Sequence, residues 1–367
     1  MRIALIVPGT LDGATGGYLY DRMLARHLAA QGDEVEVVSL PWRGYGLERC
    51  DMRSAALARR LAQGHFDVLL QDELAHPSLL RVNRRLRAPG TCPIVAVVHV
   101  LRATEHASSR LRSRYASAER RYLATVDGAV YTSCATQAAT TRLAGPRLTG
   151  VVARPGADHI DLPAGLATVT RRARGDGPLR VLCIANVVRP KRVDVLVRAL
   201  ARLPRDGWRL TVVGSLTADR RCARRLRRLV DRCGLAANVR LTGEVPNADV
   251  AAFLEWADVL AGVSSYESLG IAYLEAMRMG LPVLASAAGG AREIVEHGRE
   301  GLLVEPGDVD ALAGHLGRLA SDRDLLLRMS GAAAARAARH PGWERSLAPV
   351  RSYLLGSVAG LRDREAA

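Results

Sequence analysis

The chain carries one lysine, Lys191, against 51 arginines. Arginine serves wherever positive charge alone is needed, so a single retained lysine points to a place requiring the compact charge of an ammonium. The plain alternative is chance survival on a helix surface. Two glutamates, Glu267 and Glu275, stand in the run Ser264-Ser-Tyr-Glu-Ser-Leu-Gly-Ile-Ala-Tyr-Leu-Glu-Ala-Met. Glu267 falls in a loop at a helix entrance and Glu275 about two turns further on. The helix N-terminus expected at Ser268–Gly270 offers unbonded N–H groups and the positive end of a dipole, which suit a diphosphate. Carboxylates beside it can accept hydrogen bonds from sugar hydroxyls. One glutamate there would read as a complement to the dipole; two with this flanking pattern favour a ligand site.

A second anion-friendly stretch, Gly9-Thr-Leu-Asp-Gly-Ala-Thr-Gly16-Gly17, lies between a first strand and a first helix. A dinucleotide fingerprint would also want an acid closing the second strand. That strand ends Val37-Val38-Ser39-Leu40, which leaves a phosphate cradle or an ordinary turn. Asp308-Val-Asp310 invites a metal reading, but it follows Pro306-Gly307 at a helix start, where aspartates cap the helix and oppose its dipole. The six cysteines (Cys50, Cys92, Cys134, Cys183, Cys222, Cys233) show no C-x-x-C pair or zinc spacing and read as reduced thiols. His27, His76, His106 and His297 have no evident partners and are expected on the surface or in loops. No metal site is expected.

The elements that must position these residues alternate short apolar runs with helical patterns, the signature of a doubly wound α/β fold. Strands are expected at Arg2–Val7, Glu34–Leu40, Phe66–Leu70, Pro93–Val98, Gly128–Tyr131 and Thr149–Val152. After a composition break from Leu162 to Pro178 the pattern restarts, with strands at Leu179–Ile184, Trp208–Val213, Asn238–Leu241, Val259–Val263, Pro282–Ser286 and Gly301–Val304. Its 367 residues suit two domains. These are an N-terminal Rossmann-like domain over 1–165 and a C-terminal one over 176–342. Such halves would face each other across a cleft at the carboxyl ends of both sheets. No run of about 18 apolar residues occurs. Met1–Val7 is too short for a signal peptide and reads as a first strand.

The stretch from Ser264 to Gly290 resembles the E-x7-E region of family 4 retaining glycosyltransferases, which have the GT-B fold. The resemblance extends to Ala185-Asn-Val-Val-Arg-Pro-Lys191, Val212-Val-Gly214, Leu241-Thr-Gly-Glu-Val245, Gly289-Gly290, Gly301–Asp308, Arg154-Pro-Gly-Ala-Asp158 and Val98-His99. It implies that Glu275 holds the nucleotide ribose and Glu267 the donor sugar. Lys191 and the amides of Ser268, Leu269, Gly270 and Ile271 would grip the diphosphate. Gly16 and Gly17 would close over it, His99 would lie near the sugar, and Val245 would line the base pocket. Family members commonly have an arginine where Asn186 stands, and Arg189 is the nearest substitute. The helix from Trp343 to Ala367 would pack back towards the N-terminal domain. The implied activity is metal-independent, retaining transfer from a sugar nucleotide, most commonly a UDP-sugar, with no cofactor. The lack of a carboxylate opposite Glu267 is no objection if the leaving group departs from the front face. A GT-B epimerase or hydrolase is the alternative on the same fold.

The net charge of +15 implies attraction to something acidic. With two phenylalanines and no aromatic-interleaved basic stretch, nucleic-acid stacking has little to work with. Arginine-dense segments at Arg110–Arg121 and Arg220–Arg232 could meet an anionic membrane or form a solvated face. The expectation is a cytoplasmic protein, peripheral on the membrane if those helices bind it, with the acceptor set by the loops Trp42–Gly46, Gln71–Pro77 and His99–His106.

Overall fold

The computed structural model describes residues 1–13, 15–41, 51–87, 92–105, 109–160, 175 and 177–366. The chain divides into two compact units, Met1–Pro155 with Pro341–Ala367, and Gly156–His340. The division falls ahead of the composition break, most of which, like Trp42–Gly46 and His106, lies outside the described residues.

Unit 1 runs β1 (Arg2–Pro8), α1 (Gly16–Ala30), β2 (Glu34–Leu40), α2 (Asp51–Gln63), β3 (Val68–Asp72), α3 (His76–Leu86), β4 (Ile94–Val98), α4 (Arg102–Glu105), α5 (Ser109–Leu123), β5 (Gly128–Tyr131), α6 (Cys134–Ala144) and β6 (Gly150–Val152). The strands pair in parallel in the order β2-β1-β3-β4-β5-β6. β3 and β4 are buried throughout, as expected of strands covered by helices on both faces. The strand order reverses between β1 and β3, and ligands of open parallel sheets bind at such a reversal, outside the carboxyl ends of the strands.

Unit 2 runs β7 (Leu179–Ile184), α7 (Val193–Leu200), β8 (Trp208–Val213), α8 (Arg220–Arg232), β9 (Val239–Gly243), α9 (Asn247–Trp256), β10 (Val259–Gly262), α10 (Ile271–Arg278), β11 (Val283–Ser286), β12 (Gly301–Val304), α11 (Val309–Ser321) and α12 (Arg323–Arg339). Its parallel order, β12-β11-β10-β7-β8-β9, reverses between β7 and β10. The loops after those two strands carry Lys191 and Glu267. Apolar side chains pack on both faces of this sheet, with Trp208 buried on one and Tyr273 on the other.

The last helix, α13 (Trp343–Ala366), belongs to unit 1. Trp343 meets Tyr20 of α1 edge-on at 5.7 Å. Arg351 donates to both oxygens of buried Asp33, at 2.8 and 3.2 Å, and Asp33 also accepts from the Met1 amino group.

Most strands keep their expected bounds, but the one expected at Phe66–Leu70 ends at Asp72. Gln71, Asp72 and Glu73 are therefore buried and cannot form an exposed loop. The Gln71 and Asn83 side chains exchange two hydrogen bonds, and Asp72 caps the 3₁₀ turn Glu73–Ala75.

Candidate functional site

In unit 2 the chain after β7 makes a 3₁₀ turn at Arg189–Lys191, and the chain after β10 runs alongside. The Pro190 carbonyl accepts from the Ser265 amide at 2.7 Å, tying the two loops together. Lys191 Nζ donates to Glu267 Oε2 at 2.8 Å, and Ser264 Oγ donates to the same oxygen at 3.1 Å. The Glu267 backbone is clamped on the turn after β11. Its N–H reaches the Ala288 carbonyl and its carbonyl accepts from Gly290. Gly289 is required between them, because φ is +99° and a Cβ would stand 2.0 Å from the Glu267 carbonyl oxygen.

Helix α10 begins at Ile271, after Gly270 in the left-handed region at φ +98°. Ser268 and Leu269 thus belong to the loop, and Leu269 is buried beneath it. Glu275 lies on the buried side of α10, with Oε1 2.8 Å from His159 Nε2. Arg278, one turn on, donates to the carbonyls of Ala157 and Ile160 and so holds the His159 segment against the helix. His159 was missed in the sequence, although it directly follows the Arg154–Asp158 element. Asn186 is a brace, its Oδ1 accepting from the Ser215 amide at 2.8 Å. Arg189 is exposed. Val245 is half-buried and packs on the apolar cluster around Leu254 and Tyr273. Asp308 caps α11 through the Ala311 amide, as expected.

In unit 1 Gly16 and Gly17 form the first turn of α1. A Cβ on Gly17 would stand 3.5 Å from the His99 ring, an ordinary contact distance, so the ring lies beside the first turn of α1. His99 follows β4. Its Nε2 lies 3.0 Å from Asp21 Oδ1 and 4.0 Å from Asp72 Oδ1, and Tyr20 packs edge-on at 5.4 Å. Asp21 and Asp72 are both buried. Burial alone would pull the His99 pKa down, but the carboxylates of Asp21 and then Asp72 outweigh it and push it up to about 9. Asp72 is itself raised by burial and then by the charge of Asp21.

Asp21, Asp72 and His99, which no sequence pattern groups together, each place one polar atom within 4.8 Å of the others. With Asp21 hydrogen-bonded to Nε2, the group reads as an acid–imidazole set. Asp21 was legible only as an acid on the buried stripe of α1 with Leu24 and Leu28. His27 and His76 are also buried rather than superficial, and His76 Nδ1 lies 3.1 Å from Glu73 Oε1. The reason is position: His27 is on the inward side of α1, and His76 opens α3 over the buried end of β3. His297 is exposed and stacks edge-on with His315.

Residues 170–336 match the family model for glycosyl transferases group 1. Among curated proteins, the chain is 34% identical over 207 residues to the GDP-mannose-dependent alpha-(1-6)-phosphatidylinositol monomannoside mannosyltransferase of Mycobacterium tuberculosis, covering 54% of this chain and 52% of that protein. It is 36% identical over 175 residues to the D-inositol 3-phosphate glycosyltransferase of Xylanimonas cellulosilytica, covering 48% and 41%. The match thus spans about half the length of these relatives. Among solved structures, sucrose-phosphate synthase from Thermosynechococcus elongatus superposes with a TM-score of 0.84 at 22% identity, over 98% of this chain and 100% of that one. Anabaena Alr3699/HepE in complex with UDP-glucose gives 0.76 at 20%, over 96% and 100%. These likenesses establish the two-Rossmann GT-B fold class. Among the described residues no helix is long and apolar enough to cross a membrane.

Proposed function

Taking residues 170–336 as a group 1 glycosyl transferase domain, we propose that the chain is a retaining glycosyltransferase whose unit 2 binds a sugar nucleotide. The observation that carries the reading is the meeting of Lys191 with Glu267 at the strand-order reversal of unit 2, 2.8 Å apart. Cleaving the glycosidic bond builds negative charge on the departing phosphate. A fixed ammonium and the amides at the start of α10 would stabilise that charge without a metal ion. The half-buried Glu267 carboxylate would accept hydrogen bonds from sugar hydroxyls, and Glu275 from the ribose. A front-face departure within an ion pair needs no protein nucleophile and retains the anomeric configuration.

The donor we propose is GDP-mannose, in place of the UDP-sugar expected from the sequence. A relative at 34% identity is named for that donor, whereas the UDP-glucose complex belongs to a protein alike in fold alone. The names of both curated relatives contain inositol, which favours an inositol-based acceptor. If that acceptor is lipid-linked, the exposed arginines of α5 and α8 would help hold the protein on an anionic leaflet.

Calorimetric titration with GDP, UDP, ADP and dTDP in the presence of EDTA tests the nucleotide. Incubation with GDP-mannose and inositol phosphates, with the product anomer read by NMR, tests the transfer. GDP binding and an α-linked product are expected. Binding of none of the four, or GDP-mannose consumed equally with and without acceptor, overturns the transferase reading.

A further inference from the structure

The His99 set is built more elaborately than a histidine that merely lies near a sugar would require. The Tyr20 edge packs against the ring, and Trp343 in turn packs on Tyr20. Nε2 is hydrogen-bonded to Asp21, whose side chain is fully buried. The second oxygen of that carboxylate, Oδ2, is buried and has no hydrogen-bond partner. An ionised carboxylate left in that state needs a cation beside it, because burial without a counter-charge costs several kcal/mol. Lysine is absent from unit 1. Among the described residues, the groups that act on the imidazole are Asp21 and the Tyr20 ring from α1, Asp72 from the end of β3 and Glu73 from the turn that follows it. None of them is a base that could supply positive charge, so among the described residues the imidazole is the group that can act as the cation of this pocket.

We propose that Asp21 is a positioning residue that fixes the His99 ring and keeps it an imidazolium, so that His99 serves as a cationic hydrogen-bond donor and not as a general base. Nothing in the sequence pattern assigns Asp21 a role. The inference rests on the transferase reading for the activity it affects, and on geometry alone for the state of the ring. As an imidazolium, His99 has both ring nitrogens as donors. Nε2 is committed to Asp21, which leaves Nδ1–H as the donor to whatever the site binds. A neutral ring held by Asp21 through Nε2–H would instead present Nδ1 as an acceptor, and a sugar hydroxyl would meet it the other way round.

The experiment uses the full chain and the isosteric variant Asp21→Asn, which keeps the shape and the hydrogen-bond acceptor but removes the charge. His99 is followed by NMR of histidine-labelled protein, with its signal assigned from His99→Gln. In the parent protein the ring should titrate near 9, and in Asp21→Asn it should fall towards 6.5, the ordinary value. The variant should lose about tenfold or more in kcat at pH 8, keep its KM for the donor, and bind GDP as the parent does, since Lys191, Glu267 and Glu275, proposed to hold the donor, lie in unit 2. His99 titrating alike in both proteins would overturn the proposal. So would stoichiometric zinc or manganese in the purified protein that is lost in His99→Gln, because a metal-bound Nε2 cannot donate to Asp21. If the parent protein transfers no sugar from any donor, the transferase reading fails, while the titration still decides the state of His99.

Discussion

Lys191 Nζ and Glu267 Oε2 stand 2.8 Å apart although 76 positions separate them in the chain. The pair is half-exposed, so it contributes little to stability, and its value lies in placing a cation beside a carboxylate at the end of a parallel sheet. Lys191→Ala should therefore leave the melting temperature nearly unchanged. It should reduce kcat by roughly 100–1000-fold, the usual cost of removing one donor that stabilises a developing oxyanion. Steady-state rates beside a thermal melt check both halves of the statement.

His159 Nε2 sits 2.8 Å from the Glu275 carboxylate. Glu275→Ala should weaken nucleotide binding by at least about tenfold, the scale of a hydrogen bond to a charged group. His159→Gln should weaken it by less, because the carboxylate survives but loses its orienting partner. Calorimetry with GDP on both variants reads the two effects. An unchanged affinity in Glu275→Ala would remove this residue from the nucleotide site.

Gly289→Ala should destabilise unit 2 by about 2–4 kcal/mol. The added methyl would collide with the carbonyl oxygen of Glu267, and the backbone there lies at φ +99°. Because the turn carries the Glu267 backbone, turnover should fall further than the loss of stability explains at a temperature where the variant is folded. Chemical denaturation followed by rate measurement below the transition separates the two contributions.

Stability should decline on the alkaline side. Folding raises the His99 pKa from 6.5 to about 9, so the folded state holds a proton that the unfolded chain releases first. The stability this contributes is complete below 6.5 and is lost as pH rises through about 9. Asp72 and Glu119 act in the same sense, since burial, then Asp21 for the one and Glu73 for the other, raises both carboxyls above their ordinary values. Calorimetric melts across this range should show a falling midpoint, with a shallower fall in Asp72→Asn, which carries no titrating proton at that position.

Asp33→Asn should lower stability by about 2 kcal/mol, since Asp33 binds both Arg351 of the terminal helix and the Met1 amino group. The folded pKa of Asp33 is depressed: burial works against the charge, but the Arg351 and amino-terminal hydrogen bonds outweigh it. This contribution is therefore present above the ordinary carboxylate range and disappears as pH falls through the folded value. A smaller acid-induced loss of melting temperature in Asp33→Asn than in the parent is the expected result.

The constellation proposed for the donor was legible in the sequence because local signals mark it. Lys191 stands out by type, and Glu267 and Glu275 flank a loop-to-helix transition. Asp308 could be identified as a cap because capping depends on the next three residues alone. Asn186 was read as a departure in phosphate binding, and the structure gives it the different work of holding the Ser215 amide. A side chain's partner thirty residues away leaves no trace in its neighbours.

By itself the sequence determined the alternation of strands and helices, the two-part architecture and the loop that carries Glu267, because apolar periodicity and turn chemistry are written within a few residues. Only the tertiary structure decided that Asp21, Asp72 and His99 share one buried pocket and that His159 meets Glu275. Those contacts join strand ends and helices far apart in the chain. Whether a carboxylate is buried beside an imidazole or open to water depends on how parallel strands order themselves in the sheet, which no local pattern encodes.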